Sequence, residues 1–175
     1  MNAFVERLTR TVQPPVPQEV LPDWDEVEGA LGFGLPTDYK ELVDVYGPGK
    51  FDDFLVVLQP GHKVPRLDLL NSVTETAELL NAYESSGETL PAPADQLLAV
   101  GLTDNGDTLY WVRDSLESPD KWRVAVNGAR DFDDWFLFDG CLSHFLAAVL
   151  SRELVVPSLA GDFPYPDKAP VYRPE

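Results

Sequence analysis

LLAVGLTDNGDTLYWV, residues 97–112, is the stretch whose reading decides the class of fold. Leu97 to Leu102 is an apolar run, and Thr108 to Val112 is β-branched and aromatic, so both read as strands. Asp104-Asn105-Gly106-Asp107 between them reads as a hairpin turn, because Asn-Gly tolerates the positive φ that tight turns need. Downstream, Trp122 to Val126 reads as a third strand and Asn127-Gly128 as a second turn. Phe132 with Asp134 to Phe138 reads as a fourth strand. The helix Cys141 to Arg152 follows, with Asp139 placed to cap it and Leu142, Phe145, Leu146, Val149 and Leu150 facing inward.

Upstream of the hairpin the pattern is mostly helical. Met1 to Val12 puts Phe4, Val5 and Leu8 on one side, and Gln13-Pro14-Pro15-Val16-Pro17 ends that helix in a stiff linker. Asp23, with Glu26 three residues on, is an acidic variant of a capping box, and Trp24, Val27 and Leu31 then share a face up to Gly32. Pro36 suits the first turn of a third helix whose stripe is Tyr39, Leu42, Val43 and Tyr46. Gly47-Pro48-Gly49 stops it, and Phe54 to Leu58 reads as a buried strand. Leu67 to Glu84 is a fourth helix. Helices, one strand, a helix, an antiparallel meander and a last helix make an α+β fold, with helices packed against a mostly antiparallel sheet. The expected organisation is one domain over residues 1–156 with a motif core at 22–150. Residues 157–175 form a proline-rich tail that packs through its aromatics.

Charge is the strongest global signal. The 175 residues carry 30 acidic and 13 basic side chains, net −17, and the apolar fraction of 44% is ample for a core. Such a field repels nucleic acid and anionic membrane and attracts basic partners. The stretch from Glu19 to Asp53 alone nets −8. The single cysteine, Cys141, allows no intramolecular disulfide. No run approaches the length of a membrane span, and Glu6 and Arg7 break the apolar start, unlike a signal peptide. The expected compartment is the cytoplasm.

Chemistry-bearing patterns are sparse. His62 and His144 lack partners at metal-ligand spacing. Cys141 and His144 share one helix, whereas a catalytic Cys–His pair normally comes from separate elements, so a small core cysteine and a half-buried structural histidine are expected. Asp104 to Asp107 opens like a calcium loop, but Ser115 stands where the bidentate glutamate belongs. Asp131, Asp133 and Asp134 cluster on a turn. Gly32-Phe33-Gly34 lacks the third glycine and the preceding strand of a dinucleotide site. The expectation is no enzyme, no cofactor and no metal. What remains is carboxylates beside aromatics. Trp111, Trp122 and Trp135 lie in or beside the meander, where alternation turns about half of the side chains outward. Asp104, Asp107, Asp133, Asp134 and Trp135 are therefore the expected partner-binding residues. Asp23, Asp25, Asp52 and Asp53 form a second acidic candidate surface.

One stretch resembles a known family. Trp24-x-x-Val27-Glu28-x-x-Leu31-Gly32-x-x-Leu35-Pro36-x-x-Tyr39-Lys40-x-Leu42-x-x-x-Tyr46-Gly47 is similar to the opening of the SUKH superfamily, which includes the fungal Smi–Knr cell-wall regulators and many bacterial immunity proteins. A looser likeness runs on to Leu150 through the strand near Phe54, Gly106-Asp107, Trp111 and Phe145-Leu146. The resemblance implies an α+β fold without catalytic residues. It also implies a protein partner: a toxin, often a nuclease, for the bacterial members, or host proteins for a scaffold of the Smi–Knr type. Trp24, Tyr39, Leu42 and Gly47 are assigned to folding.

Overall fold

The structure is a computed structural model and describes residues 1–131 and 133–175. Phe132, read above as part of a strand, lies outside them. α1 (Ala3–Thr11) is capped by Asn2, whose side chain accepts from Phe4 N, and it buries Val5 and Leu8. α2 (Trp24–Leu31) starts where Asp23 accepts from Glu26 N at 3.1 Å. It ends at Gly32, φ 79°, in the left-handed region that a Cβ disfavours. Pro36 immediately precedes α3 (Thr37–Tyr46), which buries Tyr39, Leu42, Val43 and Tyr46. α4 (Leu69–Ser85) follows a 3₁₀ turn and is capped by Asp68. α5 is Leu142–Leu150.

The strands are β1 (Gly49–Phe51), β2 (Leu55–Val57), β3 (Leu97–Thr103), β4 (Thr108–Val112), β5 (Arg123–Asn127), β6 (Trp135–Phe138) and β7 (Tyr172–Pro174). They form one antiparallel sheet in the order β6-β5-β4-β3-β2-β1-β7. The fold is α+β, with five helices packed on this sheet among the described residues.

Both faces of the sheet are covered. Leu98, Val100, Leu109, Trp111, Val124 and Val126 point to the main core with α1, α3 and α5. The alternate residues Leu97, Tyr110, Val112 and Ala125 pack with Leu80 of α4 and Ala94 in a second core. Trp24, Tyr39, Trp111 and Trp122 form a chain of edge-on and tilted rings with centroids 4.9–5.9 Å apart. Trp111 and Trp122 are therefore core residues, not surface aromatics. The phenol tips of Tyr39 and Tyr46 donate to Leu58 O and Val12 O, at 2.8 and 2.7 Å, so burial leaves neither hydroxyl unpaired.

Several expectations change. Asp139 does not cap α5. Cys141 holds the cap position without a side-chain capping bond, and the buried Asp38 of α3 accepts from Ser143 N at 2.8 Å instead. Asn127-Gly128 is not a tight turn: β5 ends at Asn127, and its partner β6 begins only at Trp135. β1 was hidden behind the Gly47-Pro48-Gly49 stop, and the tail supplies β7, which pairs with it. Phe163 packs on Phe54 and Tyr172 on Tyr46 and Phe51. Among the described residues no helix is long and apolar enough to cross a membrane.

Candidate functional site

The 104–107 turn and the loop that follows β5 at Gly128 and Ala129 meet at one end of the sheet. Asp107 joins them: its Oδ2 accepts from Thr103 Oγ1 at 2.6 Å, and its Oδ1 accepts from Ala129 N at 3.0 Å. At 2% exposure Asp107 is a bracket between loops and presents no charge to a partner, so the expected contact role is corrected at this position. Asp104 is outside, but Lys50 Nζ donates to it at 2.7 Å and neutralises it. Asp134 is half-buried, and its carbonyl accepts from Gly128 N at 2.9 Å. Trp135 is half-buried on the Tyr110 ring, 5.3 Å between centroids.

Asp133 is exposed, with its N–H held by Asp131 Oδ1 at 3.1 Å. Glu88, beyond the end of α4, faces it. The hydrogen bond to Asp133, then the negative charges of Asp133 and Asp131, push the Glu88 carboxyl above its usual range. α4 adds Glu75, Glu78 and Glu84 on its exposed side and carries no lysine or arginine. Its C-terminal carbonyls point to the same end, where the helix dipole is negative. Glu88, Asp131 and Asp133 thus gather at one corner of the molecule, with Glu84, whose carbonyl accepts from Gly87 N at 3.0 Å, in the last turn of α4 and Arg130 in the same loop as the aspartates. Glu88 and the α4 acids were not among the expected residues. The absence of any basic residue from Leu69 to Ser85 was the available signal.

The second acidic candidate surface does not assemble. Asp23 caps α2 and Asp25 is exposed beside it. Asp52 is fully buried and accepts from Tyr165 N at 2.6 Å, while Asp53 pairs with Arg173, so both are tied to the tail.

No family model, curated protein or solved structure matches this chain. The geometry of its residues therefore carries the functional reading.

Cys141 immediately precedes α5, and His144 lies in its first turn. Burial and the nearby Asp38 carboxylate push the thiol up, the opposite of activation. His144 stacks on Phe4 with centroids 4.0 Å apart and meets the Phe138 edge at 4.9 Å. Burial first, then Arg7, lowers its pKa. His62 faces the C-terminal Glu175, 3.1 Å away. Among the described residues no group of three or more His, Cys, Asp or Glu is placed to hold a metal ion. A separate apolar groove of about 390 Å³ lies between the segment before α2 and the start of α4, lined by Val20, Leu21, Val27, Ala30 and Leu70.

Proposed function

We propose that the protein is a non-catalytic binding domain that neutralises a basic toxin, with a nuclease as the best-fitting class. The observation that carries this is the corner formed by Glu88, Asp131 and Asp133 beside the negative end of α4, whose last turn carries Glu84. Elsewhere Lys40, Lys50, Arg7, Arg10, Arg123 and Arg173 are each paired with a carboxylate of the same chain. That corner instead keeps a local acidic excess. A nuclease must present a basic face to its substrate, and an acidic inhibitor competes for that face and is steered to it. The SUKH-like pattern from Trp24 to Gly47 supports the same reading.

The test starts with capture of partners from host lysate at low and high salt. Association of the retained basic protein is then timed against Glu84→Lys/Asp133→Lys, with circular dichroism to confirm the fold. The variant is expected to associate roughly tenfold more slowly at low salt, with a shallower salt dependence. An unchanged rate with an intact fold rules the corner out. A regulatory scaffold of the Smi–Knr type is the second reading. The apolar groove at Val20 and Leu21, built from elements other than the acidic loop, favours it, and several salt-resistant host partners would replace the toxin reading with this one.

A further inference from the structure

The two margins of the sheet differ. β7 is guarded: it carries Arg173 and Pro174, Arg173 is held by Asp53, and a cleft of about 560 Å³ separates the strand from the proline linker at 13–16. Proline and charge are the usual devices that stop an edge from pairing with another chain. β6 has neither. It reads Trp135-Phe136-Leu137-Phe138, and its ladder with β5 runs in unbroken register from Asn127↔Trp135 to Val124↔Phe138.

The hydrogen-bond phase fixes which groups are free. Gly128 N donates to Asp134 O, so the closely bonded pairs of this antiparallel ladder fall on Phe136 and Phe138. The N–H and C=O of Leu137 and the C=O of Trp135 then face away from the sheet. Trp135 N is held locally by Asp133 O. Among the described residues no other segment pairs with this edge. Phe136 and Phe138 turn to the main core and Trp135 to the second, while Leu137 is 48% exposed.

We infer that β6 docks an extended basic segment of the partner as an added edge strand. The inference rests on the reading of this protein as a binder of a basic protein. Backbone pairing to Leu137 and Trp135 supplies the affinity, as in other strand-addition complexes. Charge selects the occupant. Asp131, Asp133 and Asp134 precede the strand and Asp139 follows it, so acids bracket four uncharged residues. The matching segment has β-branched or apolar residues opposite Leu137 and Lys or Arg at its ends. A second copy of β6 is a poor occupant. Antiparallel pairing sets Asp133 and Asp134 of one copy beside Asp139 of the other, between molecules that each carry −17.

The probe is a synthetic peptide of about ten residues, alternating Thr with Val or Ile and ending in lysines. The control is the same peptide N-methylated at alternate amides, which keeps the charge and removes the ladder donors. Binding is measured by fluorescence titration, and amide hydrogen exchange of the isotope-labelled protein by NMR. The plain peptide is expected to bind, to slow exchange at Leu137 roughly tenfold and to lose most of its affinity on N-methylation. Leu137→Lys, an exposed substitution, is expected to weaken it by a similar factor. Equal, salt-sensitive binding of both peptides without protection of Leu137 overturns strand docking and leaves the acidic-corner reading standing. No binding by either peptide overturns both. Protection of Leu137 in the free protein that grows with concentration, with a dimer in sedimentation, makes a second copy the occupant and overturns the inference.

Discussion

Asp107 and Asp133 sit on neighbouring turns of the same meander and carry the same side chain, yet their environments are opposite. Asp107 is enclosed by Thr103 and Ala129 and holds two turns together. Asp133 stands in water, against Glu88 and Asp131. Both looked alike in sequence because the deciding partners, Ala129 N and Glu88, lie 22 and 45 positions away. The Glu88–Asp133 contact has a pH signature. Its folded-state pKa is raised above the ordinary glutamate value of 4.5. The folded chain therefore holds that proton more tightly than the unfolded chain, and this favours folding below the ordinary value. The contribution is lost as pH rises through the raised value. Asp133→Asn removes the largest cause, so its melting temperature is expected to fall less than that of the parent between about pH 4 and pH 6. Thermal melts of both proteins across that window check this; parallel curves would mean that the two carboxyls do not share a proton.

At the scale of elements, legibility followed sequence separation. α2 was readable because Asp23, Glu26 and Gly32 are local signals, and the 97–112 hairpin because its turn residues are. The cap of α5 was not, since Asp38 reaches it from another helix. The burial of Trp111 was not either: α4 covers the second face of the sheet, so alternation there sorts residues between two cores rather than between core and water. β1 and β7 are too short to leave a periodic trace, and they meet across most of the chain. Their joint depends on Gly49. A Cβ there would press on the Arg173 carbonyl oxygen and come within 2.8 Å of the Tyr172 ring. Gly49→Ala is expected to cost about 1–3 kcal/mol. It is also expected to loosen β7, exposing the tail to limited proteolysis before the global melt. A variant that melts lower with the tail still protected would place the strain inside β1 instead.

At the scale of the whole molecule, one property acts in two directions. A chain of this length folds to a radius of gyration of about 16 Å, so much of the −17 charge lies within one Debye length of itself when salt is low, about 30 Å at 0.01 M. Self-repulsion then opposes the compact state, and the ion pairs on the surface offset little of it, each contributing about 0–1 kcal/mol. Raising salt to about 0.15 M shortens the Debye length to about 8 Å and relieves the repulsion. The melting temperature of the free protein is expected to rise over that range by a few degrees, the shift that about 1 kcal/mol produces at this size. Capture of a basic partner depends on the same field and is expected to weaken over the same range. The two trends have opposite signs only if net charge, rather than paired charge, dominates. A melting temperature that fell with salt would assign the field to the Lys40–Glu28, Lys50–Asp104 and Arg123–Asp114 pairs, and would remove the long-range attraction on which fast association with a basic toxin relies.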